Sequence, residues 1–146
     1  MSAKTDAQKY LAKVRRKPAK NEHCLQRAIV LWCNGMGAGI VCDRFAAIPN
    51  GASYGATAKD RMITGTRMKA EGVRAGMPDM VFWSGEKIGP FITARVIWIE
   101  VKNGTSGEVS KSQKSVHQSL RENGHEIVVV RSLAEAITAI IKFYRQ

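Results

Sequence analysis

Two acidic residues and a lysine lie at the ends of two apolar runs. Glu100 and Lys102 follow the run 96–99, and Asp79 precedes the run 80–83. Side chains alternate between the two faces of a strand, so Glu100 and Lys102 point to the same face. If the two runs pair as a hairpin, Asp79 converges with Glu100. Two such carboxylates suit Mg²⁺ or Mn²⁺ beside a phosphodiester, and a neighbouring lysine can orient the attacking water or stabilise negative charge.

Each part of this pattern also has an ordinary explanation. A strand that emerges into solvent often ends in Glu and Lys, and for the E-x-K spacing alone this explanation is the stronger one. Asp79, which follows Pro78, is equally consistent with a turn residue. The combination on two neighbouring strands favours a metal-dependent nuclease. The alternative is a non-catalytic basic DNA- or RNA-binding module, which predicts that the three residues are scattered.

Periodicity and capping signals predict eight elements around these residues. Asn21 caps a first helix, Thr57 caps a second, Ser110 with Gln113 forms a capping box, and Gly72 ends the second helix. In order we expect a helix from 22, a strand 40–48, a helix 57–71, strands 79–83 and 95–102 joined by a Gly/Ser/Pro-rich loop, a helix 111–122, a strand 126–131 and a final helix from 133. This order predicts an α/β sandwich, in which helices flank a small mixed β-sheet.

Five motifs in this order resemble a known nuclease family. They are Glu22 with Gln26, Pro49-Asn50-Gly51, the segment 72–79 that ends in Pro-Asp, the segment 98–102 that contains E-V-K, and the segment 110–113. Together they resemble the PD-(D/E)xK nuclease superfamily and, within it, the VRR-NUC (virus-type replication-repair nuclease) family, over roughly residues 22–131. Each motif is weak by itself, whereas the ordered set is fairly specific.

The resemblance implies a restriction-endonuclease-like fold and a metal-dependent DNA endonuclease. Asp79 and Glu100 then correspond to metal ligands, the Val101 carbonyl is a candidate third ligand, Lys102 is the catalytic lysine, and Gln113 lies near the active site. Glu22 matches an acid that is a candidate outer-sphere ligand. The resemblance further implies Mg²⁺ or Mn²⁺ as cofactor, and homodimers acting on branched DNA such as Holliday junctions or flaps in replication, recombination or repair.

Several of these residues keep alternative interpretations. Gln113 is as well explained by its capping box with Ser110 as by a place in the site. Glu22 also complements the positive end of its helix. Asn50 either forms a plain turn or lines the site, and the Ala52 to Gly55 segment after it departs from the family pattern. The sequence gives no catalytic role to His117 or His125, which we expect at the surface or at a helix end.

The formal net charge of +11 points to a polyanionic partner. We expect residues 1–20 to form a basic arm that precedes a nuclease domain over 21–146. The expected DNA contacts are shape-based rather than base-specific and come from Asn50, Arg61, Arg67, Lys69, Arg74, Lys111 and Lys114.

Three cysteines without a C-x-x-C spacing predict buried free thiols rather than disulfides or a zinc site. No run approaches the length that spans a bilayer, and no apolar segment follows the basic N-terminal residues. The expectation is therefore a cytoplasmic protein of a bacterium or a phage-infected host cell, without a membrane partner.

Overall fold

The computed structural model describes residues 21–49, 56–105 and 107–145. The elements are α1 (Glu22–Asn34), α2 (Ala38–Val41), β1 (Phe45–Ala47), α3 (Ala58–Ala70), β2 (Met80–Ile88), β3 (Phe91–Val101), α4 (Lys111–Glu122), β4 (Glu126–Val130) and α5 (Leu133–Arg145). The N-terminal arm and Asn50 lie outside the described residues, so the domain boundary at 21 stays a prediction. Within the described ranges, no helix is long and apolar enough to cross a membrane.

The four strands form one mixed sheet in the order β1-β2-β3-β4. The β1–β2 and β2–β3 pairs are antiparallel, and β3 and β4 are parallel. β2 and β3 form the hairpin on which the convergence of Asp79 and Glu100 depends, with Met80 paired to Ile99. Helix α4 connects the two parallel strands, as a crossover connection requires.

Helices cover both faces of the sheet. On one face, the core joins side chains of α1 and α5 to β2 and β3 residues such as Phe82, Ile97 and Ile99. Glu100 alternates with these residues and therefore points to the opposite face, where α4 packs and its Gln113 reaches the Glu100 carboxylate. The predicted fold class, a sandwich with a small mixed sheet flanked by helices, is confirmed.

The helix starts follow their predicted caps. Asn21 Oδ1 accepts a hydrogen bond from Cys24 N at 2.8 Å. Thr57 and Ser110 each form a complete capping box, with Asp60 and Gln113 respectively. Because a capping box satisfies backbone N–H groups that have no partner inside the helix, it fixes where the first turn sits. For α4 this matters, since that first turn carries Gln113.

The predicted strand 40–48 is wrong. Residues Ala38–Val41 form the short helix α2, and only Phe45–Ala47 joins the sheet. Between them, Cys42 and Asp43 adopt left-handed backbone with φ of 49° and 57°. Arg44 then donates from Nε to the Val41 carbonyl and from Nη2 to the Ile40 carbonyl. These bonds satisfy two backbone carbonyls at the end of α2. The apolar run in the sequence does not show that Arg44 makes them.

The hairpin strands are longer than predicted. The residues expected as a Gly/Ser/Pro-rich loop belong to the strands, which meet at the two-residue turn Gly89-Pro90, and Gly89 has a φ of +62°. Beyond the residues that β1 and β4 cover, β2 and β3 pair only with each other. This projecting part, residues 84–95, is called the ribbon below. Its tip exposes Ile88, Phe91 and Ile92.

The thiol prediction is correct for one cysteine of three. All three are free, but Cys33 is buried whereas Cys24 and Cys42 are exposed. Burial raises the pKa of the Cys33 thiol to about 12. Cys33 lies on the inner side of α1 with Leu25 and Ile29, where it packs as a small apolar side chain.

Candidate active site

The β2–β3 hairpin brings Asp79 to the backbone that carries Glu100. Asp79 lies directly before β2, and its Oδ2 accepts a hydrogen bond from Val101 N at 2.7 Å. Its own carbonyl accepts from Ile48 N at 2.8 Å, which ties the segment after β1 to the same point. The carboxylate of Asp79 is therefore held one residue from Glu100, at the end of the sheet where β3 finishes.

Glu100 is fully buried, and side chains of three residues hold its carboxylate. Lys102 Nζ lies 2.8 Å from Oε1, and Gln113 Nε2 donates to the same oxygen. His117 Nε2 lies 3.3 Å from Oε2. A buried carboxylate is tolerated only when it is paired and hydrogen-bonded, and Glu100 meets both conditions.

Burial dominates the acidity of this group. It raises the pKa of Glu100 to about 7, the hydrogen bond from Lys102 opposes the shift, and the nearby charge of Asp79 adds to it. Burial on its own would lower the pKa of Lys102, but the hydrogen bond and charge of Glu100 raise that pKa above its ordinary value. Lys102 is therefore a cation at neutral pH, whereas burial makes Glu100 hold its proton more readily than an exposed glutamate does.

Glu22 extends the cluster from the first turn of α1. Its Oε1 lies 3.7 Å from Lys102 Nζ and accepts a hydrogen bond from Asn103 N at 3.4 Å. The carboxylate is about half exposed, so the contact with Lys102 is partly screened by water. Glu22 therefore lies beside Lys102 and the backbone that follows β3, and its outer-sphere role stays a prediction.

Gln113 forms the capping box with Ser110 and also contacts Glu100, because the two ends of its side-chain amide have different partners. Oε1 accepts from Ser110 N at 2.9 Å and completes the capping box. Nε2 donates to Glu100 Oε1. One side chain thus fixes the start of α4 and holds the buried carboxylate. The position of the Glu100 carboxylate therefore depends on the position of the first turn of α4.

Gly76 permits this helix to lie close to the segment before Asp79. It has a φ of +90°, and a Cβ placed there would come within 2.6 Å of the Ser112 carbonyl oxygen. Any side chain at 76 would therefore push against the backbone of the first turn of α4. A glycine meets both demands at once.

The loop after β3 is anchored from β4. Arg131 Nη1 donates to the Gly104 carbonyl at 2.8 Å and to the Gly107 carbonyl at 2.7 Å. Gly107 N in turn donates to the Asn103 carbonyl. The chain that leaves Lys102 is therefore tied down within a few residues of the site.

The predicted DNA-contacting residues that the structure describes are all exposed. Arg61, Arg67 and Lys69 lie on α3, and Arg74 follows it. Lys111 and Lys114 lie in the first turn of α4, beside Gln113. Arg67 forms an exposed ion pair with Glu71 at 3.5 Å, which contributes little to stability. Asn50 lies outside the described residues.

The surface position expected for His117 is wrong. The side chain is buried and contacts Glu100, whereas His125 is partly buried and packs edge-on against Trp98. A signal for His117 was present in the sequence. It stands four residues after Gln113, a spacing that places both on one face of a helix.

The donor set has the character of a divalent-metal site. Asp79, Glu100 and the Val101 carbonyl would supply hard oxygen ligands, which Mg²⁺ and Mn²⁺ prefer. Within the described ranges, no group of three or more His, Cys, Asp or Glu side chains is placed to hold a metal. Mg²⁺ is commonly bound by one or two carboxylates together with water and substrate phosphate, so two acids fit this mode.

A family model for the VRR-NUC domain matches residues 5–134. The chain belongs to the VRR-NUC family. Nucleases of this family are of the PD-(D/E)xK type, act on DNA and generally use divalent metal ions. The predicted family is thereby confirmed, and so is the coarse function, a nuclease.

One solved structure, titled "VRR_NUC domain protein", resembles this VRR-NUC chain with a TM-score of 0.61 and 19% sequence identity. The match covers 85% of this chain and 88% of that chain. At this identity the likeness concerns the fold. A comparison with curated protein sequences finds no match.

Proposed function

We propose that the protein is a Mg²⁺- or Mn²⁺-dependent endonuclease that hydrolyses phosphodiester bonds in branched DNA, such as Holliday junctions or flaps. The observation that supports this most is the convergence of Asp79, Glu100 and Lys102 at one end of the β2–β3 hairpin. A non-catalytic binding module predicts scattered residues, and the 2.8 Å contact between Lys102 and Glu100 argues against it.

Each residue has a distinct part in the proposed reaction. Asp79 and Glu100 would hold the cation, which would polarise the phosphodiester and lower the pKa of bound water. Lys102 supplies a fixed positive charge that orients the attacking water or stabilises the charge that develops on the phosphate. Gln113 holds Glu100, and Glu22 limits the movement of Lys102 on its outer side.

The charge of the chain suits this substrate. An excess of +11 attracts the phosphate backbone and gives affinity that depends on salt rather than sequence. The proposed contacts are exposed residues in and after α3 and in the first turn of α4, together with Asn50 and the N-terminal arm. The exposed residues are Arg61, Arg67, Lys69, Arg74, Lys111 and Lys114. We place the activity in replication, recombination or repair, in the cytoplasm of a bacterium or a phage-infected cell.

We further propose that two copies act as a homodimer, since a two-fold arrangement presents two sites to the symmetric strands of a junction. Light scattering of the free protein, and of the protein mixed with a four-way junction, measures this directly. A monomer in both samples contradicts the dimer without affecting the proposed chemistry.

Cleavage of labelled four-way-junction, flap and linear duplex DNA tests the function. The wild-type protein and Lys102→Ala are incubated with Mg²⁺, Mn²⁺ or EDTA, and Lys142→Ala serves as a matched control because Lys142 is an exposed lysine on α5. We expect metal-dependent cleavage by the wild type and the control, and DNA binding without cleavage by Lys102→Ala. Binding without cleavage by the wild type under every metal contradicts the nuclease proposal.

A further inference from the structure

The two oxygens of Glu100 meet different donors. Oε1 receives Lys102 Nζ and Gln113 Nε2, whereas Oε2 faces His117 Nε2 at 3.3 Å. When Glu100 is ionised, its oxygens only accept hydrogen bonds, so Nε2 must carry the hydrogen. His117 is then the donor that opposes rotation of the carboxylate about its last side-chain bond.

Gln113 and His117 act from one rigid element. They lie four residues apart on α4, so their side chains stand one above the other on the same helix face. His117 is 2% exposed, and Glu100 is fully buried, so solvent does not compete for this hydrogen bond. A carboxylate gripped at both oxygens from one helix has its plane fixed by the position of that helix.

We propose that His117 is a positioning residue of the site, which orients the Glu100 carboxylate toward the divalent cation by holding Oε2. This inference rests on the proposed metal-dependent function. It adds a residue that contacts neither the cation nor the DNA and acts through Glu100. Partners of this kind commonly change metal affinity or activity by tenfold to a hundredfold.

The surroundings of His117 suit this role. Burial, with the positive charges of Arg121 and Lys102, lowers the pKa of the imidazole below its ordinary value. His117 Nε2 and Glu100 Oε2 lie 3.3 Å apart between two buried side chains, and this geometry supports the positioning role. Lys102 already supplies the positive charge that pairs with Glu100.

Three substitutions separate positioning from packing. His117→Leu keeps an apolar side chain of similar bulk but removes the donor. His117→Gln carries an amide N–H where Nε2 lies, whereas His117→Asn carries one that stops short of Glu100. His125→Leu is the matched control, because it removes an imidazole that packs edge-on against Trp98 of β3 rather than contacting Glu100.

The experiment measures Mn²⁺ binding to the DNA-free proteins by electron paramagnetic resonance, kcat and KM for cleavage, and urea unfolding. We expect His117→Leu and His117→Asn to weaken Mn²⁺ binding and lower kcat by about tenfold to a hundredfold. The KM for DNA should stay within about twofold, since no DNA contact is lost. His117→Gln and His125→Leu should stay near wild type in both readouts.

If His117→Leu does not fold, the comparison of His117→Gln with His117→Asn replaces it. These two side chains are equally polar, but only the glutamine is long enough to donate to Glu100. Equal Mn²⁺ affinity and kcat in these two variants overturn the positioning role. Wild-type affinity and kcat in a folded His117→Leu overturn it as well. A wild-type protein that neither binds Mn²⁺ nor cleaves DNA overturns the proposed function, and the positioning role with it.

Discussion

Replacing Gly76 by alanine should disturb the site through the backbone of α4. Its left-handed conformation, with a φ of +90°, costs an alanine about 1–2 kcal/mol. The added Cβ also lies 2.6 Å from the Ser112 carbonyl oxygen, whereas ordinary contact begins at 3.4 Å. Overpacking of this kind costs about 1–3 kcal/mol. The total of about 2–5 kcal/mol is a large share of the stability of a small domain.

The steric part of this cost falls on the site. Ser112 precedes Gln113, so a backbone that retreats by several tenths of an ångström moves the amide that holds Glu100. A misplacement near 1 Å can lower an enzymatic rate by about a hundredfold. We therefore expect Gly76→Ala to lower both the free energy of unfolding, measured in urea, and the cleavage rate of protein that remains folded.

Gly72 provides a matched control. It has a φ of +93°, close to that of Gly76, but a Cβ there meets nothing within 4 Å. Gly72→Ala should lose only the conformational part, about 1–2 kcal/mol, and keep its cleavage rate. If the two variants lose equal stability and both cleave at the wild-type rate, the close approach of Gly76 to α4 does not position the site, and the reasoning fails.

Three further outcomes follow from the same contacts. Because protons and the cation compete for a Glu100 carboxylate whose pKa is about 7, Mn²⁺ affinity measured by calorimetry should fall as the pH is lowered from about 8 to about 6. A flat profile contradicts a ligand role for Glu100. Ser110→Ala should cost about 1 kcal/mol in urea unfolding and also lower kcat. Thr57→Ala should leave kcat intact, because α3 carries proposed DNA contacts but no residue of the carboxylate cluster. Arg131→Ala should speed amide hydrogen exchange at Gly107 by about tenfold, because the loop after Lys102 loses its two hydrogen bonds from Arg131. Unchanged exchange shows that the remaining bonds of the loop suffice.

The elements that the sequence predicts correctly are those whose signals are local. The caps at Asn21, Thr57 and Ser110 act within three residues, so the sequence places these helix starts well. The sequence underestimates the extent of the hairpin, because Gly85 and Gly89-Pro90 are equally typical of a loop. In the ribbon each strand pairs only with the other, so Gly85 weakens no pairing with a third strand. The turn at Gly89-Pro90 needs only two residues, and the strands continue up to it.

The site shows the same division between local and tertiary information. Spacing alone places Glu100 and Lys102 on one face, and the hairpin brings Asp79 beside them. The contact of His117 with Glu100 spans 17 residues and depends on how α4 packs on the sheet. A histidine on an otherwise polar helix reads as exposed, and only its spacing from Gln113 hints otherwise. The catalytic roles of Asp79, Glu100 and Lys102 stay predictions.

The ribbon has a consequence for the behaviour of the protein in solution. Its outer strand edges lack neighbours within the described residues, and its tip exposes Ile88, Phe91 and Ile92. Such edges and apolar tips favour association between copies, which the charge of +11 opposes by repulsion. Salt screens that repulsion and also releases bound DNA. Conditions that strip nucleic acid from the protein are therefore those in which its colloidal stability is lowest.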